Sequence, residues 1–298
     1  MRHGISDRRD FPTLIDVRRS QHVTTMNELP VFSQQKLLQS GALLIRGFPA
    51  SKPAEFAEFV RHLSGLPLQN YVGGASPRQK LATGVYTSTE YASDLELSLH
   101  NEMSYTYRWP KQLFFACVIT PKEGGETPIA DSRAILGQIG TDIVEEFSEK
   151  QIRYQRRLPS FTNDGYSWQE AFETDDRADV EEYCEQGKIS FEWTNDGALL
   201  LSETRPATTT HPVTGEEVWF NQADSFHSAG NPTSRLHACF GDGSDISEEA
   251  VVGIREAIAA ETVLFKWQPG DILVLDNLLT AHGRRPFHGP RKILLAMT

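Results

Sequence analysis

Residues Thr262 to Leu275 read TVLFKWQPGDILVL, two short runs rich in β-branched and aromatic side chains on either side of Pro269-Gly270. Runs of this length broken by a turn pair predict two strands, Thr262–Trp267 and Asp271–Leu275, joined as a hairpin. Working outward, runs of the same character predict strands over Ala42–Phe48, Leu113–Ile119, Ala198–Ser202, Glu217–Phe220 and Lys292–Met297. Turn residues separate several of them, at Pro212 to Gly215 and at Gly289-Pro290. Helical spacing is rarer. Pro53–Gly65 carries Phe56, Phe59, Val60 and Leu63 on one face, and Ser132 to Lys150 repeats Ile135, Leu136, Ile139, Ile143 and Phe147. Ser247 is placed as an N-cap with Ile246 and Val251 as its hydrophobic staple. The acidic stretch from Trp168 to Gln186 reads as helical, with its carboxylates on a solvated face. Many short strands with few helices predict a mainly β, α+β fold of the sandwich or jelly-roll kind. With no linker visible, one domain over 1–298 is expected, carrying a helical insert at about 132–195.

Composition narrows the function. The 298 residues are 39% hydrophobic and 23% charged, ordinary for a packed globular chain. A formal charge of −11 opposes a nucleic-acid partner and gives no reason to expect binding to an anionic membrane. There is no apolar run of transmembrane length, and Met1 to Leu14 is polar and lacks the apolar core of a secretory signal. Cys117, Cys184 and Cys239 are far apart and in no paired spacing, which fits reduced thiols in a cytoplasm and opposes a cysteine-rich zinc site.

The chemistry centres on Leu97-Ser98-Leu99-His100-Asn101-Glu102-Met103. In an extended strand residues two apart point to the same side, so His100 and Glu102 would project together and could take adjacent positions on a metal. His282, in Leu279-Thr280-Ala281-His282-Gly283-Arg284, is the best third ligand. Two imidazoles and one carboxylate on one face of an octahedron leave the opposite face open, the arrangement used for non-haem Fe(II) oxygen chemistry. Zinc hydrolases share the ligand types but use a helical His-Glu-x-x-His, which is absent here. By itself His-x-Glu occurs by chance in many proteins. His62, His227 and His237 receive no role.

The surrounding text is more specific. His100-Asn101-Glu102-Met103-Ser104-Tyr105, Trp109-Pro110, Gly124-Gly125-Glu126-Thr127-Pro128, Asp131-Ser132-Arg133, Trp168-Gln169-Glu170-Ala171-Phe172, His211-Pro212, Trp219-Phe220-Asn221-Gln222 and Asp276-Asn277 leading to His282 and Gly289-Pro290-Arg291 occur in that order. Over roughly residues 40 to 298 the chain resembles the taurine dioxygenase/TfdA-like oxygenases, in particular a branch similar to the syringomycin-pathway hydroxylase SyrP. The resemblance implies a double-stranded β-helix, Fe(II) on His100, Glu102 and His282, 2-oxoglutarate as cosubstrate, and O2. It implies that Thr127 and a basic residue on the last core strand bind the far carboxylate of 2-oxoglutarate. Arg291 is that residue here, although it follows His282 by nine residues, less than is usual in the family. Lys292 should face the opposite way by strand alternation. Arg284 and Arg285 read as a solvated loop, with a lesser chance that Arg284 touches substrate.

The implied reaction is hydroxylation of an unactivated C–H bond, coupled to conversion of 2-oxoglutarate into succinate and CO2. Halogenating relatives lack the carboxylate ligand, so Glu102 favours hydroxylation. The implied substrate is an amino acid, free or tethered to a carrier protein, in a specialised-metabolite pathway such as antibiotic biosynthesis. Epoxidation or desaturation at the same iron is the alternative, as is a metal-free jelly-roll protein that binds a small ligand.

Overall fold

The computed structural model describes residues 11–17, 29–47, 52–88, 90–161, 166–228 and 235–298. Phe48 and most of the polar N-terminal stretch from Met1 lie outside the described residues. Seven strands form the main sheet in the order Thr13–Asp16, Ala42–Arg46, Ile272–Asp276, Gln112–Ile119, Lys292–Met297, Val85–Thr87 and Lys80–Ala82. Its first pair is parallel and the others are antiparallel.

Both faces of this sheet are covered, so its central strands are apolar at nearly every position. One face, with Leu43, Ile45, Phe114, Ala116, Val274, Leu294 and Ala296, packs on the helix Pro53–Ser64 through Phe56, Phe59, Val60 and Leu63. That helix ends on Gly65 in the left-handed region, where glycine carries no Cβ penalty. Alternate residues, among them Leu44, Leu113, Phe115, Leu273, Leu295 and Met297, face inward. They share a core with Leu99, Ile129, Ala130 and Ala281 of a second, three-stranded antiparallel sheet. Its order is Leu97–His100, Thr280–Arg284, Ile129–Asp131. The two sheets enclose the candidate site between them.

Two sequence-based elements differ. Thr262–Trp267 is not a hairpin strand: Ile272–Asp276 pairs with Ala42–Arg46 and Gln112–Ile119 instead. Only Val263 pairs, as an isolated bridge to Ile129, and the apolar character of the segment comes from side-chain burial such as that of Trp267. The single helix expected from Ser132 to Lys150 is two, Ser132–Gln138 and Thr141–Lys150, separated where Ile139 and Gly140 turn extended. Glycine is a weak helix former, and here it caps the second helix instead.

The 132–195 region also contains two strands, Ile152–Leu158 and Ser190–Trp193. They join Leu199–Arg205 and Leu236–Phe240 in a four-stranded antiparallel sheet. The acidic stretch forms two short helices, Trp168–Phe172 and Arg177–Gly187. Ser247 caps the helix Glu248–Glu261 by accepting from the Ala250 amide at 3.1 Å, and Ile246 and Val251 are both buried beside it. Among the described residues no helix is long and apolar enough to cross a membrane.

Candidate active site

His100 and His282 are 182 positions apart in sequence but directly opposite each other on adjacent antiparallel strands. Cross-strand partners point to the same face, and their ring centroids lie 4.6 Å apart. A register shift follows His282, and the strands approach so closely at Gly283 that an added Cβ would sit 2.5 Å from the Leu97 carbonyl oxygen. Only glycine fits there without moving backbone.

Glu102 reaches the same point by another route than strand alternation. The strand ends at His100, and residues 102–105 form a turn in which Met103 has φ 57°. Asn277 holds that turn. Its Oδ1 accepts from the Glu102 amide at 2.7 Å, and its Nδ2 donates to the carbonyls of Glu102 and Pro110, both at 2.9 Å. Asn101 donates to the Asn277 carbonyl and accepts through its own carbonyl from Gln222. Asp276, the neighbour of Asn277, caps the amides of Leu278 and Leu279 and pairs with His211 at 3.1 Å. The Asp276-Asn277 pair therefore secures the Glu102 turn and the approach to the His282 strand together.

One atom each from His100, Glu102 and His282 lies within 4.8 Å of the others. Glu102 Oε2 is 3.8 Å from His282 Nε2, too far for a hydrogen bond and suited to two groups sharing a cation. His100 Nδ1 lies 2.9 Å from the Ser98 carbonyl, so Nδ1–H donates there and Nε2 is the nitrogen left for a metal. Burial pushes the His282 imidazole well below its ordinary range, with His100 and Arg78 adding to the effect. It stays neutral, as a metal ligand must. The donor set fits Fe(II).

Arg291 and Thr127 line one narrow cavity together with His100, His282 and Phe115. Thr127 is buried and its hydroxyl oxygen accepts from Trp267 Nε1 at 3.1 Å, which leaves its proton for an anion in the cavity. Arg291 donates to the Gly125 carbonyl and to Ser88 Oγ, each at 3.1 Å. Burial pulls its pKa down to about 10, with Arg284 adding to the effect. Lys292, the first residue of the last strand, is exposed and is not among the residues lining this cavity.

Arg284 departs from expectation. It sits on a strand, 5% exposed, and donates to the carbonyls of Tyr91, Ala92 and Leu95. It also lines the cavity, whereas Arg285 is partly exposed and pairs with Glu96. Tyr86, Trp219, Phe220 and Asn221 make packing or hydrogen-bond contacts within the protein. Sequence reasoning missed Arg78. Its Nη2 donates to Glu102 Oε2 at 2.7 Å, and both side chains are 3% exposed. Burial opposes its charge, but Glu102 and Tyr71 outweigh burial and hold the guanidinium protonated. Nothing in Tyr71–Lys80 announces this contact.

Residues 26–298 match the model of the taurine catabolism dioxygenase TauD, TfdA family. The dapdiamide synthesis protein DdaC of Enterobacter agglomerans is 38% identical over 275 residues, spanning 88% of this chain and 83% of that protein. A clavaminate synthase-like protein of Arabidopsis thaliana is 31% identical, spanning 96% of this chain and 93% of that one. Among solved structures, PvcB from Pseudomonas aeruginosa shares the fold with a TM-score of 0.56 at 16% identity, covering 95% of this chain and 84% of that chain. AAD-2, solved with Mn(II) and N-oxalylglycine, gives 0.58 at 16% identity, covering 95% and 90%. The chain belongs to the taurine catabolism dioxygenase TauD, TfdA family, and is an Fe(II)/2-oxoglutarate-dependent dioxygenase.

Proposed function

We propose that this enzyme hydroxylates an unactivated C–H bond of an amino acid or amino-acid-derived substrate, free or carrier-tethered, in a cytoplasmic specialised-metabolite pathway. In this reading His100, Glu102 and His282 hold the iron, while Thr127 and Arg291 receive the far carboxylate of 2-oxoglutarate. The observation that carries it is the convergence of the three ligand atoms beside a cavity that also holds the Thr127 hydroxyl and the Arg291 guanidinium, whose hydrogen bonds to Gly125 and Ser88 are to neutral groups. A planar guanidinium takes a carboxylate through two parallel hydrogen bonds, and the neighbouring hydroxyl completes its shell. The relation to a dapdiamide synthesis protein supports the substrate class. When bound, iron and 2-oxoglutarate supply the oxidising power for the C–H bond. The chain's residues hold both in register, exclude water and place the substrate.

Epoxidation or desaturation would use the same ligands. A 2-oxoglutarate consumption assay across free amino acids and carrier-bound aminoacyl thioesters, with product masses and proton NMR spectra read in parallel, separates these outcomes. A gain of one oxygen atom in place of hydrogen marks hydroxylation. Loss of two hydrogens, or oxygen added across a double bond, would replace it with the alternative.

A further inference from the structure

Arg78 is a buried cation whose one ion pair among the described residues is with Glu102, a carboxylate that the site commits to metal. The oxygen that it contacts, Oε2, is also the one facing His282 Nε2. A metal held by Glu102 would draw on the negative charge that Arg78 depends on. The guanidinium lies over the Tyr71 ring, 4.5 Å from its centroid, and its Nε has no hydrogen-bond partner. Tyr71 is itself fixed, its amide donating to the Tyr86 hydroxyl at 3.0 Å, while that hydroxyl donates to Glu173 at 2.7 Å. Arg78 lines the cavity shared by His100, His282, Thr127 and Arg291. The other cations there are engaged: Arg284 by three carbonyls, and Arg291, in the reading above, by 2-oxoglutarate. Burying a guanidinium without an anion is costly, and a carboxylate is its geometric match.

We propose that Arg78 is a specificity-determining residue: with metal on Glu102, its guanidinium, held on the Tyr71 ring, receives a carboxylate of the substrate and sets the reacting carbon beside the metal. The inference rests on the iron-site assignment above. It narrows the substrate class to molecules that present a free carboxylate at this end. A carrier-bound aminoacyl thioester has given up its α-carboxylate and must supply one from its side chain.

The test uses the full chain loaded with Co(II) and N-oxalylglycine, a 2-oxoglutarate analogue that fills the place beside Arg291. Propionate is the carboxylate probe, propionamide its neutral control, and the visible Co(II) spectrum the readout. The wild type should respond saturably to propionate and not to propionamide. Arg78→Met should bind Co(II) at least as tightly as wild type, because a competing cation is gone, and should need at least tenfold more propionate. Arg78→Lys keeps the charge without the fork and should show an intermediate response; it is the variant to read if Arg78→Met does not fold. A wild type silent to propionate, or an unchanged response in both variants, overturns the proposal. So does a tenfold loss of Co(II) affinity in Arg78→Met, which would make Arg78 a positioning residue for Glu102. Failure of the wild type to bind Co(II) at all would instead reject the metal-site assignment.

Discussion

The two sheets that enclose the site are built on opposite terms. The seven-stranded sheet is apolar on both faces, and its strands ILVLD, QLFFACVI and KILLAM are held by packing. The three-stranded sheet is short and polar, with strands LSLH, TAHGR and IAD, and places its two histidines at directly opposed positions. One sheet is a wall and the other a bench. Substitutions in the wall should therefore cost stability and spare the chemistry, and substitutions on the bench should do the reverse.

The largest expected effect breaks the bench alone. His100→Ala, Glu102→Ala and His282→Ala should each abolish 2-oxoglutarate turnover and bound iron. The melting temperature of the metal-free protein should stay near that of wild type in the two histidine variants and fall in Glu102→Ala, which leaves Arg78 buried without its ion pair. A variant with near-normal iron and turnover would remove that residue from the ligand set. On the wall, Phe114→Ala deletes a fully buried ring. It should cost about 3–5 kcal/mol in a denaturant titration while the folded fraction still binds iron.

Arg291 directly precedes the wall strand Lys292–Met297 and lines the cavity beside the bench. Arg291→Leu should raise the 2-oxoglutarate requirement by the equivalent of about 2–5 kcal/mol, the usual consequence of breaking a buried charged pair. Binding measured by calorimetry on the metal-loaded protein checks this. Asn277→Ala leaves the Glu102 amide and two carbonyls without their partner. It should lower stability by about 1–3 kcal/mol and weaken metal binding roughly 10–100-fold, as loss of a residue supporting a ligand does. Normal metal affinity in that variant would mean the Glu102 turn holds without it. Lys292→Leu, one residue from Arg291 but exposed, should change stability and 2-oxoglutarate affinity by no more than about 0.5 kcal/mol. Interchanged results for Arg291 and Lys292 would reverse the register of the last strand.

The same contrast explains what could be read from the sequence. Strands buried on both faces appear as apolar runs, so Lys292–Met297 was legible to the residue and Ala42–Arg46 nearly so. Thr262–Trp267 has the same composition but no ladder: Trp267 is buried against Thr127, and Val263 makes only an isolated bridge to Ile129. Composition reports burial, and pairing is a separate property. The bench strands carry no such run and were visible only through their histidines. Glu102 was found by a strand argument, whereas a turn held from Asn277, 175 positions away, puts it in place. Arg284 looked like loop because its run of charges resembles a solvated surface, yet three carbonyls bury it. Arg78 carried no local signal, since its role depends on where the chain brings it.

The most direct test of the account is the mass of succinate formed under 18O2 by Fe(II)-loaded protein, which needs no knowledge of the substrate because slow uncoupled turnover suffices. The wild type should release succinate carrying one 18O atom, and the His100, Glu102 and His282 variants should release none. Succinate without label from the wild type, or labelled succinate at the wild-type rate from any of the three variants, would contradict the assignment of oxygen chemistry to this His-Glu-His site.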